Sequence, residues 1–177
     1  LSLMRKGDPH DPLLRQVLPI ASELEEQPGF LLDPLAEQHS NARPGIIHKY
    51  HGRLLLIVSG GCAVNCRYCF RRHFAYDDNN LSSSEWDQAL DYVRQDQSIR
   101  EVIYSGGDPL AASDKRLHWL TRQIAAIPHV RRLRVHTRLP VVIPQRVTDE
   151  LIEALAGTRL PLTLVLHCNH ANELSAE

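Results

Sequence analysis

Leu54-Leu55-Leu56-Ile57-Val58-Ser59-Gly60-Gly61-Cys62 is the run on which the reading of this chain turns. Five apolar residues in a row, too few for a helix and ended by two glycines, predict a strand buried on both faces, as in a parallel sheet. The glycines permit a sharp turn and leave room for a ligand. The pattern recurs three times. Glu101-Val102-Ile103-Tyr104 is closed by Ser105-Gly106-Gly107-Asp108-Pro109-Leu110, Leu133-Arg134-Val135-His136 leads into Thr137-Arg138, and Leu162 to Leu166 leads into His167-Cys168-Asn169-His170.

Helical spacing fills the gaps. Ser82-Ser83-Ser84-Glu85 offers cap chemistry for a helix reaching about Gln97, with Trp86, Leu90 and Val93 on one face. Lys115 to Ile127 repeats the period through Leu117, Leu120, Ile124 and Ile127, and Thr148 to Ala156 predicts a third helix that ends near Gly157. Strand and helix alternation argues for an α/β fold of right-handed βαβ units around a parallel sheet. Ligands of such sheets sit at the carboxyl ends of the strands, where this chain collects its glycines and polar residues.

The residues after the first strand carry chemistry. Cys62, Cys66 and Cys69 form a Cys-x3-Cys-x2-Cys run, a ligand density rather than a packing density. A structural zinc ion with His73 or Cys168 as fourth ligand is one reading, and an iron–sulfur cluster with an open iron is the other. A disulfide is disfavoured, because no secretory signal accompanies the thiols.

Residues 1–45 contain Pro9, Pro12, Pro19, Pro28, Pro34 and Pro44, which exclude long helices. They are expected to form an N-terminal arm packed on the outside, with the main domain at 46–177. A net charge of −1 and 43% hydrophobic residues imply no general attraction to nucleic acid or membrane, and no apolar run approaches a bilayer span. The chain is expected to be cytoplasmic. Its only methionine is Met4 and it stops at Glu177 soon after a strand, so a piece of a longer protein is expected.

With these motifs in order, from Gly7-Asp8-Pro9 to Asn169-His170-Ala171-Asn172-Glu173, the chain resembles the lysine 2,3-aminomutase family of radical S-adenosylmethionine (SAM) enzymes. Within that family it is similar to the branch that prepares β-lysine for translation elongation factor P. The resemblance implies a partial (βα) barrel of the radical SAM type, with about four of six βα units present. It implies an isomerase that converts L-lysine to β-lysine with a 4Fe–4S cluster, SAM and pyridoxal 5′-phosphate (PLP). It also implies L-lysine, elongation factor P pathway enzymes and an electron donor such as flavodoxin as partners.

Carried onto this chain, the family's motifs make Cys62, Cys66 and Cys69 the cluster ligands. Tyr68, Ser105, Gly106, Gly107, Asp108, Arg138, His167 and Asn169 fall near SAM. Asp108 with the glycine pair would receive the SAM amino group, although an Asp-Pro turn or helix cap explains the same residues. Lys49, Tyr50 and Arg53 match the PLP-phosphate stretch, and Arg71 matches the arginine that clamps the lysine carboxylate. The family's Schiff-base lysine and its readers of the ε-ammonium are expected beyond this chain, since no lysine follows Lys115. A radical SAM aminomutase acting on another amino acid is an alternative, and so is a non-enzymatic zinc-binding module.

Overall fold

A computed structural model describes residues 2–174. Six strands form one mixed sheet whose spatial order follows the chain. They are β1 (Asn41–Arg43), β2 (Ile46–Tyr50), β3 (Arg53–Ser59), β4 (Glu101–Gly106), β5 (Arg132–Thr137) and β6 (Leu162–Leu166). The first three pair antiparallel, and β3 to β6 run parallel. The helices are α1 (Ser83–Gln95) after β3, α2 (Asp114–Ala125) after β4, and α3 (Leu139–Val142) with α4 (Asp149–Ala156) after β5.

The four parallel strands lie where their apolar runs placed them, α1 begins at its expected cap, and α2 and α4 fall where the helical spacing placed them. The Glu85 carboxylate accepts from Ser82 N at 2.8 Å, Ser113 Oγ from Arg116 N at 3.3 Å and Thr148 Oγ1 from Leu151 N at 3.2 Å. The antiparallel hairpin β1–β2 and the short α3 had no clear signal. β1 has three residues, and α3 carries Pro140, which a short first turn tolerates.

Burial on both faces of the sheet was expected, but the two faces are not equivalent. Leu54, Leu56 and Val58 of β3, Val102 and Tyr104 of β4, and Leu133 and Val135 of β5 join the core. There they meet Trp86, Leu90 and Val93 of α1, Leu117, Leu120 and Ile124 of α2, and Leu151 and Leu155 of α4. Each such side chain removed from water contributes about 1.5–3 kcal/mol. The alternate positions, level across the sheet at Leu55, Ile103 and Arg134, face away from that core. This second face holds Glu101, Ser105, Arg134 and His136, and it is where polar groups are buried. Arg134 donates to Glu101 Oε1 at 2.8 and 3.1 Å.

The arm before β1 is fastened to the rest of the chain by polar contacts. Short 3₁₀ turns at Leu14–Gln16, Ala21–Leu24 and Gln38–Ser40 satisfy its prolines' demand for brevity, and from them it reaches the cysteine loop at three points. Gln16 O accepts from Arg67 N at 2.8 Å, Glu23 pairs with Arg72 at 2.7 Å, and Glu37 pairs with Arg71 at 2.7 Å. Among the described residues no helix is long and apolar enough to cross a membrane.

Candidate functional site

The site grows from the ends of β3 and β4. Gly107 N donates to Ser59 O at 2.8 Å and Asp108 N to Gly61 O at 2.9 Å, so the two Ser-Gly-Gly endings are stitched backbone to backbone. A Cβ on Gly107 would lie 2.5 Å from Gly61 O, and one on Gly106, which sits at φ +130°, 2.2 Å from Ser59 O. Only glycine fits at either position. The cysteine loop leaves from this stitched edge.

Asp108 answers differently from the free carboxylate expected for an ammonium. It is buried, and its oxygens accept from Leu110 N at 3.0 Å, Thr137 Oγ1 at 2.6 Å, Arg138 N at 2.8 Å and Leu139 N at 3.0 Å. It caps the turn Pro109–Ala111 and clasps the end of β4 to the end of β5. The simpler turn-and-cap reading of this residue is the one its contacts support. The Gly106 carbonyl is likewise engaged, accepting from Tyr76 Oη at 2.8 Å and Arg71 Nη1 at 3.3 Å.

All four cysteines are free thiols, with Cys62 and Cys69 exposed and Cys66 half-buried. Burial pushes the Cys62 thiol up to about 11, with Asp108, Cys69 and Cys66 adding their negative charge. Among the described residues no group of three or more His, Cys, Asp or Glu is gathered to hold a single metal ion. A cluster differs in that it takes each thiolate on a separate iron. Cys168, a possible fourth zinc ligand, instead donates its thiol to His170 O at 3.6 Å. The donor set, three thiols on one loop beside a guanidinium, fits an iron–sulfur cluster.

That guanidinium is Arg138. Its Nη1 lies 2.8 Å from Cys66 Sγ, and its Nη2 donates to Gln16 Oε1 at 2.6 Å and Glu173 Oε1 at 2.7 Å. Its Nε is buried without a partner among the described residues. Around it stand Tyr68, whose ring lies 5.9 Å from the guanidinium carbon, and His167, edge-on to Tyr68 at 5.8 Å. The Asn169 amide reaches both Tyr68 Oη and Gln16. Tyr68, Arg138, His167 and Asn169, taken separately from the sequence, therefore form one cluster. Glu173 closes it. Although burial opposes its charge, the amides of Asn169 and His170 and the Arg138 guanidinium hold its carboxyl down to about 2.

Arg71 is buried on the second face of the sheet. Its Nε and Nη2 donate to the two oxygens of Glu37, each at 2.7 Å, and its Nη1 donates to Ser105 Oγ at 2.8 Å. His136 is near, with Nε2 buried and unpartnered; burial, then Arg134 and Arg71, lower its pKa. Lys49, Tyr50 and Arg53 form a separate group at the start of β3, roughly 20 Å along the strand from the cysteine loop. Tyr50 is exposed there, with Lys49 Nζ 5.8 Å and Arg53 Cζ 5.5 Å from its ring. The two neighbouring cations fit a phosphate.

Residues 56–173 match the sequence profile of the Radical SAM superfamily. The chain belongs to that superfamily. It is 57% identical over 97% of its length to a protein of Escherichia coli named L-lysine 2,3-aminomutase, covering 50% of that relative. Proteins of the same name from Haemophilus influenzae and Clostridium subterminale are 55% and 40% identical over 97% and 100% of this chain, which covers 51% and 42% of them. The chain thus spans about half the length of these curated relatives. Superfamily membership implies SAM and an iron–sulfur cluster.

Gln16, Glu37, Tyr76 and Glu173 were not picked out as site residues from the sequence. Glu173 had a signal, since His170-Ala171-Asn172-Glu173 has the spacing of a capping box, and its carboxylate does accept from His170 N at 3.1 Å. Gln16 and Glu37 had none, because each acts on a partner far along the chain.

Proposed function

We propose that the protein to which this sequence belongs is a cytoplasmic radical SAM and PLP-dependent 2,3-aminomutase that converts L-lysine to β-lysine for the modification of translation elongation factor P. The observation that carries this reading is Arg71. A carboxylate-binding guanidinium follows the last cysteine by two residues and is buried at the end of β4, beside the loop that holds the cluster. The relatives' shared name supports L-lysine as the substrate.

In this reading β3 to β6 are four staves of a partial (βα) barrel. The helices lie outside and the polar face looks into the lumen. Cys62, Cys66 and Cys69 hold the cluster, while Tyr68, Arg138, His167 and Asn169 line the adjoining SAM site with the Ser105–Gly107 edge. Lys49, Tyr50 and Arg53 hold the PLP phosphate. When bound, cluster and SAM supply a carbon radical that abstracts hydrogen, with PLP stabilising the substrate radical, and an electron donor such as flavodoxin supplies the electron. The chain's own part is positional. Arg71 fixes the α-carboxylate by a bidentate fork, which fixes in turn which carbons of the substrate face the radical. Asp108 keeps the ends of β4 and β5 at a constant distance while this happens.

The test is made on the full-length protein. After anaerobic reconstitution, iron near four per chain and an EPR spectrum of the reduced protein that SAM perturbs are expected, and both should be lost in Cys66→Ala. Supplied with SAM, PLP and reductant, the protein should produce β-lysine from L-lysine by chromatography. Zinc at one per chain without a SAM effect would return the cysteines to a structural role. Turnover of a different amino acid would keep Arg71, which reads only the shared α-carboxylate, and reassign the substrate.

A further inference from the structure

Arg71 is occupied. Glu37 takes its Nε–Nη2 edge in a two-bond fork, and the side chains of the pair are only 8% and 9% exposed. Ser105 Oγ and Gly106 O take Nη1. Four of the five N–H donors of the guanidinium are engaged, with both of Nη1 taken, so an incoming carboxylate can form a two-bond fork only by displacing one of these partners. Ser105 and Gly106 belong to a buried strand whose place is fixed by the sheet. Glu37 belongs to the arm.

The segment that delivers Glu37 is held by polar contacts rather than by a core. Asp33 accepts from Glu37 N at 3.0 Å and from Gln38 N at 2.9 Å, and Lys49 Nζ donates to Leu35 O at 2.5 Å. Ala36 lies at φ +51°, a left-handed conformation that costs a residue with a side chain. The residues leading in, Phe30, Leu31 and Leu32, are 83%, 75% and 70% exposed. A strained turn without apolar anchorage carries the buried carboxylate that faces Arg71.

We infer that Glu37 is an internal stand-in for the substrate α-carboxylate, and that residues 33–37 are a strap which swings off Arg71 when the amino-acid substrate arrives. The exchange is cheap on both sides. Arg71 trades one carboxylate for another in the same fork, and Glu37 returns to water. The strap keeps the buried guanidinium paired while the site is empty, and it admits only ligands that carry a carboxylate able to replace it. The inference rests on the reading of Arg71 as the carboxylate receptor.

The experiment uses the full-length, PLP-loaded protein without SAM, so that nothing turns over. The probes are L-lysine and cadaverine, which lacks the carboxylate. Glu37→Gln weakens the competitor and is expected to tighten L-lysine about tenfold, within the usual range of coupled equilibria, while cadaverine is unchanged. Ala36→Gly relaxes the strap into place and should act in the opposite direction. In the unaltered protein, L-lysine should speed hydrogen exchange at the amides of Glu37 and Gln38, which the strap now protects.

Looser L-lysine binding in Glu37→Gln, or slower exchange at those amides on adding L-lysine, would mean that Glu37 stays and merely orients Arg71, and would overturn the strap. Arg71→Ala separates the two readings. If it abolishes L-lysine binding but spares cadaverine while Glu37→Gln has no effect, the strap fails and the carboxylate receptor stands. If L-lysine binds Arg71→Ala normally, both fail. Should Glu37→Gln not fold, the exchange measurement on the unaltered protein decides.

Discussion

On the helix side of the sheet, Leu56, Tyr104 and Val135 stand level across three strands and pack against α1, α2 and α4; one step along, Leu55, Ile103 and Arg134 stand level on the other side. The first row is apolar but for the Tyr104 hydroxyl, which meets Thr121 Oγ1 at 3.3 Å, so well-shaped hydrophobic residues would serve at its other positions. The second side buries Glu101, Ser105 and Arg71, and Asp108 is buried at the strand ends, each matched by a named partner. A buried apolar group needs only neighbours, whereas a buried polar group needs a particular donor or acceptor at a particular distance. The same strands therefore build a tolerant face that makes the fold and an exacting one that makes the site.

Several measurements would break that division or sharpen it. The largest effect is expected from Leu133→Ala, on the tolerant side. Loss of a fully buried leucine should lower unfolding free energy by about 2–5 kcal/mol in urea titration, with cluster assembly of the folded fraction unchanged. A loss well under about 1 kcal/mol would show that the helix face does not carry the stability. Asp108→Ala comes next. It leaves the Leu110 and Arg138 amides and the Thr137 hydroxyl without an acceptor and Leu139 N with Thr137 Oγ1 alone, and should cost about 2–3 kcal/mol. Unlike Leu133→Ala, it should also release the Arg138 and Leu139 amides to exchange and impair SAM binding. Equal behaviour of the two variants would erase the distinction between the faces.

Smaller effects follow. Thr148→Ala removes the cap of α4, far from the polar face, and should cost about 1 kcal/mol in a thermal or urea melt without altering the EPR signal. The smallest concerns acid. Glu173 has its pKa depressed from 4.5 to about 2, so the stabilisation it lends the Arg138 cluster is complete above pH 4.5 and drains away as pH falls towards 2. Hydrogen exchange at the Asn169 and His170 amides should accelerate through that window, relative to amides of α2. A flat response would mean that the carboxylate is not held by those amides and Arg138.

Much of this was legible along the chain. The runs Leu54–Val58 and Leu162–Leu166 marked strands because apolar residues bounded by turn formers have few other uses. Ser82-Ser83-Ser84-Glu85 marked the start of α1 because an orphan amide needs an acceptor close in sequence. The paired Ser-Gly-Gly endings marked the site's edge, and the structure adds the reason for the glycines: backbone packs on backbone where a Cβ would collide. The sequence leaves Asp108 two roles, and its contacts within the chain are those of a clasp. A carboxylate after two glycines looks the same in sequence whether it faces a ligand or clasps the next strand, and Thr137 and Arg138, which take it, lie some thirty residues away.

What the sequence determined by itself was everything governed by neighbours: the alternation of strands and helices, their caps, the spacing of Cys62, Cys66 and Cys69, and membership of a superfamily that uses such a loop. What only the tertiary structure decided was which groups meet across the chain. Gln16 joins Arg138 across 122 residues, and Glu37 reaches Arg71 across 34. The physical reason is range. Backbone geometry and capping act over a few residues and leave a periodic trace, whereas a buried ion pair is chosen by the folded surface around it and leaves no trace in either partner's own neighbourhood.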